Sequence, residues 1–288
     1  MNTVACPACG GPLPRHARWL TTTCRWCGAA VANGGRRVQA ADHRAALRAL
    51  ASRPVGGTVV AVEAERYLVR ARLAEGPRAT VLFAERVRSP AALVILKLHA
   101  DEAAARRAEA ALRALARSEA QGAELLARRA PQIEAVGRCE GQLALVTRYS
   151  SGFSHSLDHV RLAHPGGLDP RHAVWIGNRV AELLDFAHRS GIVHGAVEPG
   201  HVIVQARDHG ASLISWSQAR LDGAPGDDLT GLGRILDALS PDAPAALQAL
   251  WRRPPGAART FLDVQKQAAR AAFGPSAYLH LPLPGWGR

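Results

Sequence analysis

Four cysteines near the start of the chain fall into two pairs, Cys6-Pro-Ala-Cys9 and Cys24-Arg-Trp-Cys27, separated by 14 residues. Two thiolates at this spacing sit on one tight turn and can bind the same ion, and Gly10 and Gly28, which follow the pairs, let the backbone curl beneath it. Four sulfur donors favour tetrahedral zinc and leave no coordination position open, so the expected site on Cys6, Cys9, Cys24 and Cys27 is structural. A segment this short buries too little apolar surface to fold alone, and the metal would supply most of its folding free energy. Cys139 stands apart from both pairs and reads as an ordinary buried thiol.

A second reactive position is Lys97. Of 36 basic residues only Lys97 and Lys266 are lysines, so each has escaped a strong compositional pull toward arginine. Lys97 follows the apolar run Val94-Ile95-Leu96, and an ammonium there must reach solvent or find an anion. His194, Glu198 and His201 share one short segment, but satisfied or solvated side chains explain them better than a metal does. His155, His159 and His164 lack ligand spacing, and no Gly-x-Ser-x-Gly elbow supports a hydrolase.

The elements around these residues divide the 288-residue chain. Residues 1–34 are expected to form the zinc ribbon, and 35–57 a linker that holds a short helix over about 39–52. Strands are expected at Thr58–Val62, Tyr67–Leu73, Thr80–Arg86 and Ala92–Leu98, and again at Ile133–Cys139 and Gln142–Tyr149. Between the two groups lies a helical stretch over 101–129, broken near Gln121-Gly122. From Ser150 the chain turns mainly helical, with a strongly periodic helix from Pro170 to about Ser190 stopped by Gly191. Short strands at Ile192-Val193, Val202–Gln205 and Ser212–Ile214 precede further helices near 228–239, 244–252 and 256–272.

No uncharged apolar run is long enough to span a membrane, and cysteines stand where a signal peptide would need an apolar stretch. A soluble, cytoplasmic protein without a membrane partner is expected, consistent with paired cysteines in a reducing compartment. The net charge of +12 would suit nucleic acid. The arginines are scattered, however, and form no dense block with interleaved aromatics, so nucleic-acid binding is not favoured.

The stretch from Leu183 through His188, Gly191, His194 and Pro199 to Val204 resembles the helix and catalytic loop of protein kinases, with their His-Arg-Asp-Leu-Lys-Pro signature. Asp228-Leu229-Thr230-Gly231-Leu232-Gly233 resembles the start of the large-lobe central helix, and Lys97 is similar to the lysine of the third strand. The resemblance covers roughly residues 58–275. It implies an α+β fold of two lobes, β-rich over 58–149 and α-rich over 150–288, preceded by the ribbon. It also implies that Lys97 would hold nucleotide phosphates and a helix glutamate. Glu109, Glu119 and Glu124 are the candidates for that partner, with Glu119 preferred on its distance to Pro131.

Set against the family pattern, the chemistry is missing. The base position is Ala196, the lysine two residues later is Glu198, the magnesium-binding asparagine is His201, and the Asp-Phe-Gly aspartate is Ser215. The phosphate-covering loop keeps one glycine, Gly76, and only ten residues separate Ser217 from Asp228, too few for an activation segment. Asp228 is expected to accept hydrogen bonds from the backbone of the His194 loop. The resemblance therefore implies a pseudokinase, a scaffold or allosteric regulator whose partners are other proteins. ATP or ADP without magnesium is the cofactor to test, held by Lys97, by Gly76 and by the hinge at Thr147 and Tyr149. Two alternatives remain: an enzyme that uses Glu198 or Asp208 for an unconventional phosphoryl or nucleotidyl transfer, and a nucleic-acid reader built on the ribbon.

Overall fold

The computed structural model describes residues 21–23, 30–32, 57–88, 92–150, 153, 155–221 and 223–283. Cys6, Cys9, Cys24 and Cys27, and the short helix expected over 39–52, lie outside them. Near the N-terminus, β1 (Thr21–Thr23) pairs antiparallel with β2 (Ala30–Ala32), Thr21 opposite Ala32. Cys24 and Cys27 fall between these strands in sequence.

The next unit is a six-stranded antiparallel sheet of β3 (Val59–Val62), β4 (Glu65–Glu75), β5 (Ala79–Arg86), β6 (Leu93–His99), β7 (Ile133–Cys139) and β8 (Gln142–Arg148). Its order is β3-β4-β5-β6-β8-β7. Alternation decides the faces. Val94, Leu96 and Leu98 of β6 point to one side, where they pack with Val60, Val62, Tyr67, Leu82, Ala84, Cys139, Ala144 and Val146. Ile95, Lys97 and His99 point to the other. Register shifts in β4 and β7 help the sheet curl, and its two edges approach closely enough for Arg138 N to donate to Glu63 Oε1 at 3.2 Å.

Between β6 and β7 runs α1 (Glu102–Arg117), capped by Asp101, whose carboxylate accepts from Ala103 N at 2.9 Å. Its inward stripe is Ala105, Ala108, Ala111, Leu112 and Leu115, small enough to seat the helix close to Leu143 and Leu145 of β8. The chain leaves the helix at Ser118, and α2 (Ala123–Leu126) starts after Gly122, whose φ of 85° breaks the stretch as expected.

The large lobe holds α3 (Leu157–Ala163), α4 (Pro170–Arg189), α5 (Gly226–Leu239), α6 (Ala245–Arg252) and α7 (Ala258–Phe273). A small sheet, β9 (His155–Ser156), β10 (Val202–Gln205) and β11 (Gly210–Leu213), lies beside them in the order β11-β10-β9. Asp169 caps α4 and Pro170 opens it. Ile176, Val180, Leu183, Leu184 and Phe186 are wholly buried, each contributing about 2 kcal/mol of hydrophobic stabilisation. One continuous cluster runs from the inner face of α1 through Trp216 to α4 and α5, so the two lobes share a core. Cys139 is buried, as expected of it, and burial raises its thiol pKa. The strand expected at Ile192-Val193 is reduced to a single bridge between Val193 and Arg220, and α3 and β9 had no expected counterpart.

Candidate functional site

The cleft between the lobes is organised around Asp228 in the first turn of α5. Its carboxylate accepts from His194 N and Gly195 N, each at 2.8 Å, and meets His188 Nε2 at 2.9 Å. Burial pushes the Asp228 pKa up, but these three donors outweigh it and hold the carboxyl below its usual value. The expected link from Asp228 to the His194 loop is therefore present. His194 sits beneath the loop with Nε2 on Ile214 O at 2.9 Å, its ring edge-on to Trp216 at 4.6 Å. Desolvation drives the His194 pKa down to about 4, against the pull of Asp228.

The positions that depart from the kinase pattern lie on this frame. Ala196 is 7% exposed and offers only a methyl group. His201 turns Nδ1 to Ala196 O at 2.8 Å, and Glu198 is exposed to solvent. His194 and His201 thus point to separate carbonyls while Glu198 faces solvent, and the three do not converge on an ion. Ser215 begins the turn Trp216–Gln218 with φ 65° and ψ 54°, a left-handed conformation that L-residues rarely adopt. Trp216, 1% exposed, fills the space under α1, and Arg107 Nε of α1 caps the segment through Ser217 O at 3.0 Å.

Lys97 reaches across from β6 and donates from Nζ to Ser215 Oγ at 3.3 Å. Among the described residues no carboxylate pairs with it, and desolvation lowers its pKa. The glutamate partner expected at Glu119 is a correction. Ser118 adopts an extended backbone and its hydroxyl accepts from Ala120 N at 3.2 Å, which turns the chain off α1 and leaves Glu119 exposed in the following loop. Glu109 does lie on α1, but on the outer side, paired with Arg106 and Arg113 at 2.9 Å each. Glu124 is exposed on α2. The side of α1 that faces the sheet carries only alanine and leucine.

The rest of the expected nucleotide cradle is sparse. Gly76 sits in the exposed turn between β4 and β5, where Gly76 N donates to Ala79 O at 3.1 Å and a Cβ would meet open space. At the hinge, Thr147 pairs with Ile95 within the sheet, and Tyr149 N donates to Leu93 O at 3.0 Å, so that amide is already engaged. The Tyr149 ring packs on Phe83 at 4.9 Å. Asp208 lies in the turn between β10 and β11, at the opposite end of that hairpin from Ser215, about 13 Å along a strand of that length. Sequence reasoning missed His99, which is 2% exposed two residues from Lys97, with Nε2 lacking a hydrogen-bond partner. Burial, followed by the Lys97 charge, lowers its pKa to about 4. The alternation of β6 was the available signal, since it puts His99 on the face of Lys97.

No protein-family model matches the chain. Among characterised proteins, the serine/threonine-protein kinase PknJ of Mycobacterium tuberculosis is 30% identical over 121 residues, 41% of this chain and 20% of that protein. PknD of the same organism is 35% identical over 95 residues, 33% of this chain and 14% of that one. The chain therefore spans a fifth or less of the length of these relatives. Among solved structures, the kinase domain of BubR1 superposes with a TM-score of 0.57 at 14% identity, covering 76% of this chain and 85% of that one. The Mycobacterium tuberculosis PknI kinase domain gives 0.54 at 21% identity, covering 73% and 98%. The chain has a protein-kinase-like fold, and serine/threonine protein kinases are among its relatives.

Proposed function

We propose that the chain is a catalytically inactive protein-kinase-like module, a scaffold or allosteric regulator of other proteins, with a structural zinc ion on Cys6, Cys9, Cys24 and Cys27. The observation that carries the reading is the pair Lys97–Ser215: the lysine that would orient phosphates is met by a neutral hydroxyl at the position where kinases place a magnesium carboxylate. Phosphoryl transfer depends on positioning and charge neutralisation, and Ala196, His201 and Ser215 supply neither a base nor a metal ligand of the usual kind. The shared core of α1, Trp216 and α5 supports a fixed arrangement of the lobes suited to presenting a surface. The decisive experiment is a thermal-shift series with ATP and ADP, with and without magnesium. A pure scaffold gives no shift, a nucleotide-sensing module gives a shift that magnesium does not increase, and a shift that requires magnesium contradicts the proposal.

Nucleotide binding without magnesium is the second reading. It is favoured by Lys97, whose ammonium has one neutral hydroxyl as its only described partner and so could still accept a phosphate. The nucleic-acid reading draws less support, because many described arginines are committed to carboxylates: Arg70 to Glu85, Arg86 and Arg148 to Glu134, Arg129 and Arg179 to Glu182, Arg252 to Asp237.

A further inference from the structure

A cleft of about 530 Å³ opens on the large lobe, walled by one face of α4, by α7 and by the segment that follows α7. Its volume lies in the range of small-molecule sites. The closing segment is tied down. Tyr278 stacks on His209 at 4.8 Å, His209 Nε2 meets Leu279 O at 2.6 Å, His164 Nε2 meets Pro282 O at 2.8 Å, and Leu281 is 1% exposed. The opposite wall presents Val174 and Trp175, with Trp175 held flat against His209 at 4.6 Å.

The charge of this cleft is unbalanced. Among the described residues Glu182 is its one carboxylate, and it is shared by Arg179 at 3.0 Å and Arg129 at 2.9 Å, so two guanidinium groups divide a single negative charge. Arg171 is neutralised by Asp169 at 2.6 Å. The other nearby carboxylates are engaged as well, Asp263 with Arg259 and Asp208 with Arg207. Lys266 and Arg270, one turn apart on α7, line the cleft with no hydrogen-bonded or ionic side-chain partner among the described residues. Lys266 is also one of only two lysines in the chain.

We propose that this cleft binds a small anion, a phosphate or carboxylate carried on a flat apolar ring. Lys266 and Arg270 hold the anionic group, while Trp175, Val174 and Phe273 cover the ring. The site is separate from the Lys97 cleft and does not depend on whether nucleotide binds there.

Phenyl phosphate is the probe, titrated against the full chain at low ionic strength and followed by ligand-observed NMR, with benzyl alcohol and inorganic phosphate as controls. The expected result is saturable binding of phenyl phosphate, weaker binding of either control, and a loss of affinity with added salt. The double variant Lys266→Gln/Arg270→Gln changes two exposed side chains and should lower the affinity at least tenfold with an unchanged melting temperature. Absence of saturable binding overturns the proposal, as does equal binding to the double variant. Inorganic phosphate binding as tightly as phenyl phosphate would remove the apolar wall from the site and overturn the ligand class.

Discussion

Lys97 Nζ lies 3.3 Å from Ser215 Oγ, although the two residues are 118 positions apart in the chain. The acceptor is a neutral hydroxyl at the position where, on the proposed reading, a kinase would carry a magnesium carboxylate. Ser215→Ala removes the only described partner of a partly desolvated ammonium and is expected to lower stability by about 1–2 kcal/mol. Ser215→Asp should equal or exceed wild-type stability, since aspartate tolerates the left-handed backbone and offers Lys97 an ion pair. Urea denaturation of the three proteins checks the order. A more stable Ser215→Ala would show that the contact contributes nothing.

On the resemblance to kinase catalytic loops, Gly195 falls at the position of the loop's arginine. Its φ is 74°, and a Cβ there would lie 2.5 Å from Gln218 O, a backbone atom that cannot swing aside. Gly195→Ala is therefore expected to lose about 2–3 kcal/mol from strain and overlap together, and Gly195→Arg at least as much. Circular dichroism melts measure both. A Gly195→Arg protein as stable as wild type would mean that the loop accepts the active-kinase residue and that glycine here has no structural reason.

Acid should weaken the fold in a definite window. His99, His172 and His194 each have a pKa lowered to about 4, with burial as the first cause. Above about 6.5 these side chains are neutral in both folded and unfolded chains and have no effect. As the pH falls from about 6.5 toward 4 the unfolded chain gains protons that the folded one refuses, so stability declines, and it levels off below the folded value. His194 alone can withdraw up to about 3 kcal/mol over that range. Urea midpoints from pH 8 to pH 4.5 should be flat down to about 6.5 and then drop. A midpoint constant to pH 4.5 would contradict the burial of neutral histidines.

Much of the frame was legible before any coordinates. The apolar run of β6 and the periodicity of α4 put Lys97 and Leu183–Arg189 on recognisable elements, and Asp228 meets the His194 loop as the resemblance implied. The Lys97 partner was not legible. It depends on where α1 ends, which is set by the Ser118 turn and not by helix propensity, since Ala120 and Gln121 after Glu119 are good helix formers and the helix breaker Gly122 comes only later. The α7 cleft was also hidden, because it needs the segment from Gly274 to Leu283 folded back on His209 and His164, contacts between residues more than 60 apart. His155–Ser156 and the capping box that opens α3 were too short to show a period.

The four N-terminal cysteines should retain one zinc ion per chain through purification. Cys24→Ser should release it while the kinase-like core still unfolds in one cooperative transition. Elemental analysis reads the first and urea denaturation the second. Freshly purified protein without stoichiometric zinc would remove the ribbon from this account.

The central claim is the loss of phosphoryl transfer, and the direct measurement is incorporation of radiolabelled phosphate from ATP with magnesium, into the protein itself and into generic substrates. With a methyl group at Ala196 and no carboxylate at His201 or Ser215, incorporation is expected to stay at background for wild type and Lys97→Ala alike. Any metal-independent nucleotide binding seen alongside should weaken by about 1–3 kcal/mol in Lys97→Ala. Stoichiometric incorporation by the wild type, abolished by Lys97→Ala, would contradict the account and demand an unconventional catalytic group.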